Sequence, residues 1–278
     1  MKVQQAYPMV AERLTRAGVA SPEAEAWQLI EAVTGESRGR LLMEPRNLSL
    51  AEHRNLGDWT ARRELREPLQ LILGRAHFYG LGLGLEPGVL IPRPETERLA
   101  ELALRMLRGV PSPRVLDVGT GAGALALAIK SERPDARVMA SDVSAIALAV
   151  SARNAAELGL EIEVEGSDLL AAKPVAGFAA EAHALVSNPP YLPDGDRETA
   201  QPEVRWDPEG ALYAGADGLA VFRRLLSQAA SVCSPGTLLL VELDPRNVEA
   251  AANEAAGWSS ARVHEDLAGR RRFLELRR

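Results

Sequence analysis

The tetrapeptide Asn188-Pro189-Pro190-Tyr191 follows a short apolar run, Ala184-Leu185-Val186, and carries residue types able to act on an amine. Proline donates no N–H and fixes its own φ, so a strand that ends in Asn-Pro-Pro turns rigidly out of its sheet. Such a stop suits a planar –NH2 group whose lone pair is delocalised, as in a side-chain amide or a base amine. That nitrogen is a poor nucleophile, and a base of ordinary strength does not deprotonate it first. The Asn188 side-chain oxygen and the Pro189 carbonyl, held rigid by Pro190, would accept its two N–H bonds and aim it at an electrophilic methyl. Tyr191 would lie on the flat face of the amide and against a nearby cation. Alone, the same residues also read as a proline-rich turn that only ends a strand.

A second constellation is Val115 to Ala128, "VLDVGTGAGALALA": a strand, a glycine-rich turn and a helix. Gly119, Gly121 and Gly123, with Thr120 and Ala122 between them, allow a tight turn and close approach of a ligand, and the helix start is expected to present free N–H groups. The run also satisfies the looser dinucleotide pattern G-x-G-x-x-A, so a nicotinamide cofactor is one reading. Asp142 ends the next strand, where a carboxylate accepts from ribose hydroxyls of either NAD or S-adenosylmethionine. Asp117, inside the first strand, is awkward beside a pyrophosphate but useful beside the cationic amino-acid end of S-adenosylmethionine. The cofactor without phosphates is therefore favoured, against the reading in which the glycines form only a turn and Asp142 only a helix cap.

The elements that must position these groups follow from periodicity. Residues 1–73 read as a helical module, to which the resemblance described below adds a substrate-binding role: Ser21 caps a helix that starts at Pro22 and ends at Gly35, Ser49 and Glu52 form a capping box, and Pro68 stops that helix. Residues 74–94 alternate Gly and Leu as a hairpin or connector, and residues 95–278 alternate helix and apolar strand. Strands apolar on both faces indicate a largely parallel sheet covered by helices, an α/β fold, with a closing antiparallel hairpin. Asn188 then falls at the end of the fourth strand, on the same carboxyl edge as the glycine turn.

Composition narrows the partners. Of 278 residues, 46% are hydrophobic and 25% charged, as in an ordinary soluble protein, and the formal net charge of -6 gives no global field for a phosphate backbone. Cys233 is the only cysteine, so no disulfide forms within the chain, and His53, His77, His183 and His264 lack metal-ligand spacing; no metal is expected. The N-terminus lacks the apolar core of a signal peptide and no apolar run approaches ~18 residues, so a cytoplasmic protein without a membrane partner is expected; a monomer with no direct nucleic-acid partner is the accompanying expectation.

These residues resemble the S-adenosylmethionine-dependent amino-methyltransferases, and the whole chain is similar to the bacterial HemK/PrmC family of release factor N5-glutamine methyltransferases. The distinguishing stretch is "PGVLIPRPETE", Pro87 to Glu97, joined by "PLQLILGRAHFYGL", "SDVSAIALAVSARNA", "SNPPYLP", "ADGLAVFRRLL" and "DLAGRRRFLELR" in family order. The resemblance implies a class I methyltransferase fold, with a Rossmann-like seven-stranded sheet whose last strand is antiparallel, behind a small helical domain. It implies that the glutamine of the Gly-Gly-Gln loop of class I release factors is methylated and S-adenosylhomocysteine released. It also implies that Gly119 to Gly123 hold the methionine moiety, Asp142 the ribose and Leu169 the adenine, while Asn188 to Tyr191 hold the glutamine amide, with Asn188 also against the cofactor. Arg93, Glu95 and Thr96 would shape the pocket wall. Leu169 stands where the family often has an aromatic residue, Asp207-Pro208 where it usually has Glu-Pro, and Asp244-Pro245-Arg246 where a Gly followed by a Gln is common. Leu192 to Gly218, acidic and rich in Pro and Gly, reads as a substrate-gripping loop in preference to a mobile connector. A nucleic-acid amino-methyltransferase, a NAD-dependent oxidoreductase and a non-catalytic release-factor or ribosome binder are the competing readings.

Overall fold

The computed structural model describes residues Met1–Arg278, and the chain divides into two compact units: Met1–Arg75 with Gln201–Trp206, and Ala76–Ala200 with Asp207–Arg278.

The first unit is built from α1 (Val3–Arg16), α2 (Pro22–Thr34), α3 (Arg38–Met43), α4 (Leu50–Glu64) and α5 (Leu69–Leu73). Leu14, Leu29, Ile30, Leu41 and Leu56 form its core, and Tyr7 stacks on Trp27 at 4.8 Å. Ser49 and Glu52 do close a capping box on α4, and Gly35 ends α2 in the left-handed conformation. Two local expectations need correction. Ser21 precedes α2 but its side chain makes no capping bond, because its backbone leaves the extended region that aims a cap oxygen at the helix amides. Nor does Pro68 stop α4, which ends at Glu64; Arg66 then turns at φ 64 and Pro68 leads into α5.

The hairpin β1 (Arg75–Phe78) and β2 (Leu81–Gly84) leads into the second unit. After a 3-10 turn, Pro94–Thr96, come α6 (Glu97–Met106), β3 (Arg114–Val118), α7 (Ala124–Glu132), β4 (Arg137–Asp142), α8 (Ala145–Leu158) and β5 (Glu163–Gly166). They are followed by α9 (Lys173–Ala180), β6 (Ala184–Ser187), α10 (Ala220–Val232), β7 (Leu238–Glu242), α11 (Val248–Glu254), β8 (Ser260–Glu265) and β9 (Arg271–Arg277). Helix α9 was not anticipated: its Lys-Pro-Val-Ala-Gly-Phe start has little helical signature of its own, and the burial of Val175, Phe178 and Ala179 holds it.

The seven strands lie in the order β5-β4-β3-β6-β7-β9-β8, parallel from β5 to β7, with β9 antiparallel to both its neighbours. Register explains why both faces are apolar. Val115 pairs with Val138 and Ala184, and Ala184 with Leu238; all four face one helical layer. One residue on, Leu116 pairs with Met139 and Leu185, and Leu185 with Leu239; these face the other layer. The period of two thus fills both cores and sends the ends of β3, β4 and β6 to one carboxyl edge.

Candidate active site

A cavity of about 360 Å³ opens at that edge, lined by the turn after β3, by Asp142, Ser144 and Leu169, by Ser187 to Pro190, and by Val89, Arg93 and Thr96.

Gly119, Gly121 and Gly123 have φ of 77, 56 and 86, a region where a side chain is strained. A Cβ on Gly123 would also lie 2.8 Å from Ser151 Oγ. The turn's donors are largely taken up within the protein. Gly119 N and Thr120 N donate to the Ser141 carbonyl at 2.8 and 3.0 Å, Gly123 N donates to the Thr120 carbonyl at 2.9 Å, and Gly121 N donates to Asp142 Oδ2 at 3.0 Å. These four amides are thus paired within the protein, whereas Ala124 N and Leu125 N at the start of α7 donate to no protein group and border the cavity.

Two carboxylates frame the turn. Asp117 is buried; its Oδ2 accepts from Thr120 Oγ1 at 2.6 Å and from Ala126 N at 3.1 Å, so it caps the first turn of α7 from inside the sheet. Its Oδ1 is buried with no partner, and burial pushes the carboxyl up to about 7 against the pull of those bonds. A cationic group in the cavity would satisfy that oxygen. Asp142 accepts from Gly121 N through Oδ2 and from Ser144 N through Oδ1. It does not cap α8, since Ser144 Oγ accepts from Ala147 N there. An orphaned buried acceptor and a second carboxylate fit S-adenosylmethionine better than a dinucleotide. Leu169 lines the cavity with φ 55, a left-handed conformation that costs a non-glycine residue about 1 kcal/mol.

Asn188 follows the last residue of β6. Its Nδ2 donates to Thr96 Oγ1 at 3.0 Å, and Thr96 Oγ1 donates to Glu242 Oε2 at 2.8 Å. Asn188 Oδ1 is left as an acceptor without a protein partner beside the cavity. Tyr191 directs its hydroxyl to Glu242 Oε1 at 3.3 Å, and burial with the neighbouring Glu242 raises its pKa. Glu242, fully buried at the end of β7, is itself pushed up to about 7 by burial.

Asp117, Gly119 to Ala122, Asp142, Leu169, Asn188, Pro189, Pro190 and Arg93 all border the one cavity. Gly123, Tyr191 and Glu95 do not: Gly123 immediately precedes α7, Tyr191 turns its hydroxyl to Glu242, and Glu95 pairs with Arg270 at 3.4 Å. Arg93 is bonded to Asp207, which is buried and also accepts from Ile91 N at 3.2 Å. Glu242 was missed in the sequence, although a carboxylate inside Thr237-Leu-Leu-Leu-Val-Glu-Leu243 is the signal that would have found it. Cys233 is buried, with its thiol pushed up to about 11 by burial, and is no nucleophile.

Residues 95–203 match the methyltransferase small domain model and residues 5–74 the PrmC N-terminal domain model. The release factor glutamine methyltransferase of Deinococcus radiodurans is 47% identical over 100% of this chain and 99% of its own. That of Streptomyces coelicolor is 39% identical over 96% of this chain and 95% of its own. The T. thermophilus 16S rRNA N2 G1207 methyltransferase, solved with AdoMet and guanosine, shares the fold at TM-score 0.55 and 20% identity, covering 73% of this chain and 49% of that one. The catalytic domain of hMettl16, solved with an RNA hairpin, shares it at TM-score 0.59 and 17% identity, covering 79% and 82%. A seven-stranded methyltransferase sheet, a PrmC-type helical module and full-length identity to these relatives lead to one assignment: the chain belongs to the release factor glutamine methyltransferase family.

Proposed function

We propose that the protein transfers a methyl group from S-adenosylmethionine to the N5 side-chain nitrogen of the glutamine in the Gly-Gly-Gln motif of class I release factors, and so modulates translation termination. The observation that carries this reading is the unpaired Asn188 Oδ1, which borders the same cavity as the glycine turn and its two carboxylates. The cofactor supplies an electrophilic methyl on a sulfonium. Asp117 Oδ1 would receive its ammonium, the turn from Gly119 to Ala122 would seat the methionine moiety, Asp142 would accept from the ribose, and Leu169 would flank the adenine. Asn188 Oδ1 and the Pro189 carbonyl accept the two N–H bonds of the glutamine amide. They orient its nitrogen toward the methyl and favour pyramidalisation as the new bond forms, after which the excess proton leaves to water. Arg93 and the loop it anchors through Asp207 border the glutamine's entry.

The net charge of -6 disfavours nucleic acid as direct substrate, and no helix is long and apolar enough to cross a membrane. A monomer acting in the cytoplasm is the reading that fits a release-factor substrate. The test is transfer of labelled methyl to a purified class I release factor, with a Gln→Ala variant of its Gly-Gly-Gln loop and duplex DNA alongside. Label on the intact factor alone supports the assignment. Label on DNA replaces it with the nucleic-acid reading, and no label on either defeats it.

A further inference from the structure

Asn188 is useful to an amide substrate in only one of its two orientations. With Oδ1 toward the cavity it accepts the substrate N–H; flipped, it presents an N–H to an N–H. The two orientations have nearly the same shape, so packing alone discriminates poorly between them, and the choice falls to hydrogen-bond polarity.

We propose that Glu242 and Thr96 are positioning residues that lock the polarity of the Asn188 carboxamide, and that Glu242 holds Tyr191 by the same means. An ionised carboxylate only accepts. Thr96 must then give its single proton to Glu242 Oε2, at 2.8 Å, and the Thr96 oxygen is left to accept from Asn188 Nδ2, at 3.0 Å. The second carboxylate oxygen, Oε1, accepts from the Tyr191 hydroxyl at 3.3 Å. Both polar members of the Asn-Pro-Pro-Tyr turn are thus tied to one buried group on the neighbouring strand, while neither Thr96 nor Glu242 need touch the reacting atoms. The inference rests on the proposed amide substrate for its catalytic consequence, though the polarity of the chain Glu242, Thr96, Asn188 is a property of the free enzyme.

Protonation reverses the logic. A neutral Glu242 can donate to Thr96, whose own proton is then free to point at Asn188 and favour the flipped carboxamide. The groups that face Glu242 are Thr96, Tyr191, Arg272 Nη1 at 3.9 Å from β9, and Glu95 beyond; Arg272 is shared with Asp266 at 3.3 Å. Burial raises the Glu242 carboxyl to about 7 and Glu95 adds to the rise, while Thr96, Arg272 and Tyr191 oppose it. The working, ionised form is therefore lost as pH falls through about 7.

The test compares wild type with Thr96→Val, Thr96→Ser and Glu242→Gln by three readouts. These are kcat and KM for the release factor across pH, affinity for S-adenosylhomocysteine, and the side-chain amide resonances of Asn188 in protein labelled with 15N-asparagine. T96V and E242Q are expected to lower kcat by about 10- to 100-fold, through misorientation, with unchanged S-adenosylhomocysteine affinity. T96S should restore most of the loss. Wild-type kcat should show an acid limb near pH 7 that E242Q lacks. The Asn188 amide protons should exchange slowly above that pH and quickly in T96V. Wild-type kcat in T96V or E242Q, or an acid limb that survives in E242Q, overturns the proposal. If wild type methylates no release factor while its Asn188 amide still depends on Thr96 and Glu242, the substrate assignment falls and the positioning relay stands. An amide indifferent to both substitutions overturns the relay itself.

Discussion

Glu203 is gripped by two arginines of the helical unit: Arg66 donates from Nε and Nη2 to its two carboxylate oxygens at 2.7 and 2.8 Å, and Arg63 Nη2 adds a third bond at 3.0 Å. Glu203 belongs to the loop from Leu192 to Gly218, whose segment Gln201–Trp206 is part of that unit. The bidentate contact also draws on Arg66 at its left-handed backbone position, and Arg63, which is buried, shares its charge between Glu203 and Glu25.

Glu203→Ala should therefore free the loop. Arg63 keeps Glu25, so the loss of stability is limited to about 1–3 kcal/mol. Limited proteolysis should cut within Leu192 to Gly218 much faster than in wild type, with affinity for S-adenosylhomocysteine unchanged; an equally resistant loop contradicts the tether.

Removing the Asn188 carboxamide should reduce turnover far more than cofactor affinity, if its oxygen is the acceptor proposed for the substrate amide. A fall in kcat of about 100-fold with cofactor affinity altered less than about threefold is expected for Asn188→Ala, and equal losses in both would contradict the role.

Asp142→Ala should instead act on the cofactor. It deletes the acceptor for Gly121 N as well as the proposed ribose contact, so S-adenosylmethionine affinity should drop by about 10- to 100-fold in titration calorimetry. Unchanged affinity would remove the ribose assignment.

Asp117 sets a pH dependence of known sign. Its folded carboxyl is raised to about 7 by burial, above its unfolded value. Its contribution to apo stability is therefore complete below the unfolded pKa and lost as pH rises through about 7. An ammonium beside Oδ1 lowers that pKa again, so S-adenosylmethionine should bind with proton release and more weakly as pH falls below about 7. Asp117→Asn should abolish the proton release; a release that persists in the variant would show that another group carries it.

Gly218 has φ 75, and a Cβ there would fall 2.2 Å from the Tyr191 carbonyl oxygen, which Asn247 Nδ2 holds at 3.1 Å. Gly218→Ala should cost about 2–4 kcal/mol, combining left-handed strain with backbone displacement, and lower kcat by moving Tyr191. A melting temperature within a degree or two of wild type would contradict this packing.

Much of this protein is written locally. Short, nearly continuous apolar runs such as Val115 to Val118 and Leu238 to Glu242, with glycine, capping and proline signals between helices, determine a sheet buried on both faces and put the glycine turn and Asn188 at one edge. Those signals act within a few residues, so sequence carries them. Other features are decided only by long-range placement. Helix α9 exists because its apolar face finds a core, and the amides of Gly119, Thr120 and Gly121 are occupied because β4 brings Ser141 and Asp142 against them. Thr96 lies 92 residues from Asn188 and 146 from Glu242, and Glu203 lies 137 from Arg66. No local pattern specifies which polar groups strand order and chain packing will bring within 3 Å of each other, and that pairing decides which way Asn188 faces.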